Sequence, residues 1–93
     1  MSRLAATEEQ LRRLVERKHK GSASPLYVVP VRQVVGDFFW EGNVHVFSLT
    51  GNSAATEAYA WRCPIGGKNH SRLRSNLIAG PAEAVRASLR ELD

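Results

Sequence analysis

The stretch Val44-His45-Val46-Phe47-Ser48-Leu49-Thr50-Gly51-Asn52-Ser53-Ala54-Ala55-Thr56-Glu57-Ala58-Tyr59-Ala60-Trp61 decides the fold of this chain. Apolar residues recur at both parities on either side of a Gly-Asn pair. Gly and Asn tolerate the positive φ that tight hairpin turns require, so the spacing predicts two antiparallel strands. With Gly51 and Asn52 as the loop residues, Val46 faces Glu57, Val44 faces Tyr59 and Phe47 faces Thr56. One face of the sheet then gathers Val44, Val46, Tyr59 and Trp61. The other gathers Phe47, Leu49, Ala54, Ala58 and Ala60. Neither face reads as solvated, so both need cover.

Toward the N-terminus, Phe38-Phe39-Trp40-Glu41-Gly42-Asn43 either continues into one long bulged strand over 38–49 or turns a hairpin at 41–43. Before Gly36-Asp37, Tyr27, Val29 and Val31 share a face at period 2. Pro30 lacks the N–H of a ladder donor, which pushes that strand to a sheet edge. Gly21-Ser22-Ala23-Ser24-Pro25 reads as a connector. Upstream of it, Thr7 and Gln10 form a capping box with Glu8 and Glu9 in the first turn, and Gly21 fits the C′ position of the helix they open. The apolar stripe of this helix is thin: Leu4, Leu11, Leu14 and Val15.

Toward the C-terminus, Cys63 to Ser71 reads as a loop, and Leu73, Ser75 and Leu77 alternate as a last strand. Gly80-Pro81 opens a second helix with proline at its first position, and Ala82, Val85, Leu89 and Leu92 make its stripe. The expected fold is α+β, a three- to four-stranded antiparallel sheet flanked by an N-terminal and a C-terminal helix in α-β-β-β-(β)-α order. Residues 1–93 form one domain, divided into a helix and connector (1–24), a sheet (25–79) and a helix (80–93).

With 43% hydrophobic and 24% charged residues in 93, the chain can build a core and falls outside the disordered class. Its longest apolar run, Leu26 to Val31, is far too short to cross a bilayer, and the acidic Glu8-Glu9 follow the start with no apolar signal segment. A cytoplasmic location is expected, in keeping with the single cysteine, Cys63.

No catalytic residues, metal site or cofactor is expected. His19, His45, His70 and Cys63 show no metal-ligand spacing, and Gly66-Gly67-Lys68 lacks the earlier glycine and the following Ser or Thr of a phosphate loop. His45 or His70 would act as an acid–base group only beside a deep pocket.

The net charge is +4, and Arg62, Lys68, Arg72 and Arg74 occur in a segment with no acid. These four are the candidate nucleic-acid or anion-binding residues. A solvated, solubilising strand face is the simpler explanation of them. The element order also resembles the double-stranded-RNA-binding domain, although Gly80-Pro81-Ala82-Glu83 stands where that family carries a lysine cluster.

A second resemblance rests on Trp40-Glu41-Gly42-Asn43-Val44-His45-Val46-Phe47-Ser48-Leu49, Ala58-Tyr59-Ala60-Trp61 and Gly80-Pro81. Over residues 40–90 the chain resembles small uncharacterised bacterial α+β proteins with a WEGxVxVFxL and YAW core, with Asn52-Ser53 in place of their His-Pro. The resemblance implies the fold and no activity.

Two apolar sheet faces and little helix lead to an expectation of a non-enzymatic binding or assembly protein, acting through a protein partner or as a homodimer. The candidate partner surface is Leu4, Leu11, Leu14, Val15, Phe47 and Leu49. A weak nucleic-acid-binding module is the alternative.

Overall fold

The computed structural model describes residues 3–63 and 68–92, with side chains for 7–62 and 68–91. Helix α1 (Arg3–Lys18) is followed by strands β1 (Ser22–Val35), β2 (Phe38–Thr50), β3 (Glu57–Cys63) and β4 (Lys68–Leu73), and then by helix α2 (Pro81–Leu92). The strands form one antiparallel sheet in the order β1-β2-β3-β4. No helix among the described residues is long and apolar enough to cross a membrane.

The α+β order is the expected one, with four strands. Proline at position 30 does sit on an edge strand, and residues 38–50 form one continuous strand. The β1–β2 turn falls at Gly36-Asp37, where Gly36 has φ 57°, a conformation glycine adopts freely. The bulge lies in β1, between Pro25 and Tyr27, instead of in β2.

Four local expectations shift. Helix α1 starts a turn before the Thr7 capping box, because Ala5 and Ala6 extend it at little cost. It also ends three residues short of Gly21. Strand β1 absorbs Ser22 to Pro25, the supposed connector, since an edge strand tolerates a proline beside a bulge. The last strand is Lys68–Leu73, overlapping the expected loop, and stops where Ser75 closes a turn with Ile78. There the Ile78 N–H donates to Ser75 Oγ at 3.1 Å and the Ser75 N–H to the Ile78 carbonyl at 3.0 Å. Leu77 is consequently 90% exposed. The remainder of the expected loop, residues 64–67, lies outside the described residues.

The β2–β3 register is the fourth shift. Val46 faces Tyr59 and Phe47 faces Ala58, two residues from the expected pairing. Asn52 is the cause: its Oδ1 accepts from the N–H groups of Ala54 and Ala55 at 2.8 and 3.0 Å, which lengthens the loop and leaves Ala54 exposed. A slip of two residues keeps every side chain on its face. Both expected faces therefore survive.

Each face is covered by one helix. On one side Val31, Trp40, Val44, Val46, Tyr59 and Trp61 pack with Ala84, Val85 and Leu89 of α2. On the other, Ala23, Phe47, Leu49, Ala58 and Ala60 pack with Leu11 and Val15 of α1. Gly80 gives its carbonyl to the Ala84 N–H and Pro81 begins α2, the arrangement its sequence favours.

Candidate functional site

The residues expected to form a partner surface are occupied within the chain. Leu11, Val15, Phe47 and Leu49 are buried between α1 and the sheet, Leu14 packs against them, and the Leu4 side chain lies outside the described residues. The opening in the sheet lies elsewhere, in the distal half of the β1–β2 hairpin.

Strand alternation and register place this opening. Phe47 and Leu49 face α1, so Phe39, Glu41, Asn43 and His45 of the unbulged β2 face the same way. Their β1 partners are Val34, Arg32, Pro30 and Val28. Helix α1 meets β2 near His45, where Glu8 approaches the imidazole, and beyond it this side of the hairpin is exposed among the described residues. Val34 is 61% exposed and Phe39 is 50% exposed, side by side, with the Arg32–Glu41 pair next to them. The Arg32 guanidinium lies 5.5 Å from the centre of the Phe39 ring and 3.7 Å from the Glu41 carboxylate. On the opposite side of the same hairpin Val31 and Trp40 are buried, and Gln33 Nε2 donates to the Ala82 carbonyl of α2 at 3.1 Å.

A cavity of about 310 Å³ opens between the first turns of α1 and this hairpin. Leu11, Trp40, Glu41, Asn43, His45 and Arg62 are among the residues that line it. Trp40 lies against Gly42, where a Cβ atom would come within 2.9 Å of its Cζ2, and its Nε1 donates to the Arg62 carbonyl at 3.0 Å. Glycine at 42 thus lets the indole lie flat along the strand and pin the end of β3. His45 is 3% exposed and stacks on Phe47, and its Nδ1 has no hydrogen-bond partner among the described residues. Glu8 Oε2 is 3.9 Å away, beyond hydrogen-bond reach. Burial pushes the His45 pKa down, against the pull of Glu8, so the ring is neutral near pH 7.

The four expected basic residues do not converge. Arg62 shares the α1 face with Ala58 and Ala60. Arg72 belongs to the α2 face, where its Nε donates to Ser88 Oγ at 2.9 Å and its guanidinium pairs with Glu91 at 2.5 Å. Arg74 pairs with Glu57, and its hydrogen bond to that carboxylate raises the Arg74 pKa further. Lys68 instead borders a groove with Arg13 and Arg17 of α1. The sequence showed two separate basic segments, and only the packing of α1 beside β4 joins them.

His70 stacks on Trp61 at 5.8 Å, and the ring of His19 meets Ser71 Oγ at 3.0 Å. No group of three or more potential metal ligands gathers among the described residues. Compared with protein-family models, curated proteins and solved structures, the chain matches none.

Proposed function

We propose that this protein is an assembly module that forms a homodimer through the bare α1-side face of the β1–β2 hairpin. The single observation that carries the reading is the exposed Val34–Phe39 pair flanked by Arg32 and Glu41. A patch holding one positive and one negative residue beside an apolar pair is self-complementary about a two-fold axis: Arg32 of one subunit meets Glu41 of the other, while the Phe39 rings pack. Two strands from Val28 to Val35 and Phe38 to Asn43 offer on the order of 300–400 Å² per subunit. That totals about 600–800 Å², below the roughly 1,000 Å² of a stable specific interface, so the dimer is a weak, transient one that forms only at high concentration.

Light scattering across roughly 10 µM to 1 mM should follow a monomer becoming a dimer, a range set by that interface size. Phe39→Asp should hold the chain monomeric, with its fold intact because the ring is half-exposed. Arg32→Glu and Glu41→Arg should each weaken the dimer, and the double exchange should restore it. A strict monomer at the highest concentration contradicts the proposal.

A second reading, a weak nucleic-acid-binding module, is favoured by the groove that Arg13, Arg17 and Lys68 share. Three cations limit the log–log salt slope to about −3. Arg17→Glu combined with Lys68→Glu should abolish any retention of RNA or DNA at low salt, and no retention by the wild-type chain ends this reading.

A further inference from the structure

We infer that the groove between α1 and the start of β4 takes a single strand of nucleic acid in preference to a duplex, with phosphates on its rim and a base against its floor. The assignment rests on the nucleic-acid reading of that groove given above. The groove, about 560 Å³, is lined by Gln10, Arg13, Leu14, Arg17, Lys68 and Asn69, with no acidic residue among them. Its two walls are tied together within the chain: Lys18 Nζ donates to the Ser71 carbonyl at 2.9 Å, and the His19 ring meets Ser71 Oγ at 3.0 Å. The groove is therefore formed before a ligand arrives, and binding costs little ordering of the backbone.

Three kinds of lining residue define the ligand. Arg13 and Arg17 stand one turn apart on α1, about 6 Å along its axis, so they meet successive anionic groups of an extended polymer. Arg17 and Lys68 are exposed and have no ion pair among the described residues, while Arg13 shares the Glu9 carboxylate, at 3.3 Å, with Arg12. Gln10 and Asn69, one from each wall and both exposed, present carboxamides, which donate and accept at once and so pair with the edge of a base. The side chains of an acidic peptide only accept, and leave the carboxamide oxygens unused. Leu14, half-buried in the groove, adds an apolar surface for the flat face of that base. Bases stacked inside a duplex cannot bring a face to Leu14, so the fit is to an unpaired strand.

The test measures the fluorescence anisotropy of labelled oligonucleotides of about ten nucleotides, titrated with the full chain at low salt. A single strand should bind about tenfold more tightly than the duplex of the same sequence. Its log–log salt slope should be near −2, roughly the value for three cations on a single strand. Arg17→Gln combined with Lys68→Gln should bring the slope to about −0.7. Gln10→Ala combined with Asn69→Ala should weaken binding about tenfold and leave the slope unchanged, because carboxamides carry no charge. All four side chains are exposed, so both variants should keep the wild-type thermal midpoint, which separates loss of the site from loss of the fold. A duplex bound as tightly as the single strand overturns the inference and leaves the nucleic-acid reading standing, whereas no binding of either ends both. An oligoglutamate that competes as well as an unlabelled single strand of equal charge also overturns the inference.

Discussion

The two sides of the β1–β2 hairpin start from similar sequence and end differently. Val31, Gln33 and Trp40 on one side lie under α2, which docks on β1 as well as β2, and the T-shaped Trp40–Trp61 pair fills the space beneath it. On the other side α1 packs close to Ala23, Ala58 and Ala60, small residues that admit a helix but add little area, and its first turns border a cavity beside His45. One face is a completed core. The other is a shorter core that passes into a cavity and then into an exposed apolar ladder. The larger core lies on the first face, and the proposed dimer contact lies on the second.

Truncation of one core residue on each face breaks this comparison most directly. Trp61 is 1% exposed, touches Trp40 and stacks on His70, and Trp61→Ala should destabilise by roughly 3–5 kcal/mol in a urea titration. Leu11 is fully buried but lines the His45 cavity, where its neighbours can relax into the space, and Leu11→Ala should cost about 2–3 kcal/mol. A larger loss at Leu11 than at Trp61 would reverse the assignment of the principal core.

A smaller effect distinguishes the faces by pH. His19 and His45 lie on the α1 side and His70 against Trp61 on the other, and burial lowers all three from the usual 6.5. Lys18 adds to the lowering at His19. At His70, Lys18, Arg72 and Lys68 add to it and Glu91 opposes, and at His45 only Glu8 opposes. The unfolded chain binds more protons below pH 6.5 than the folded one, so their contribution is complete above that value and is lost as pH falls through the folded-state values. Unfolding at about pH 7.5 and pH 5.5 should show the lower stability in acid, and His45→Phe should reduce the difference. An unchanged difference would mean that His45 is not shielded by the α1 face.

Much of the fold was legible because strand parity is robust. Val44, Val46, Tyr59 and Trp61 were assigned together, and a two-residue error in register left that grouping intact. Pro30 marked the edge strand and Gly80-Pro81 the start of α2 for local steric reasons that tertiary context did not override. The alternation of Leu73, Ser75 and Leu77 misled because a side-chain turn at Ser75 competes with the strand, and sequence period alone cannot show that bond. The bare face was hidden for another reason. It depends on where α1 stops, and the amphipathic stripe of a helix tells which side is buried but not which strands it covers. Val34 and Phe39 carried the one available signal, a large apolar pair beside a two-residue turn. The cavity beside His45 likewise depends on how the first turns of α1 lie against β2, which no sequence period encodes.

The most direct test of the central claim is an isotope-filtered NMR experiment on a dimer prepared from equal parts labelled and unlabelled chain at high concentration. The account predicts intermolecular contacts between the Val34 methyl groups and the Phe39 ring protons, with Arg32 near Glu41 of the other subunit. Intermolecular contacts arising instead from the α2 side of the sheet, or none at all, would contradict it.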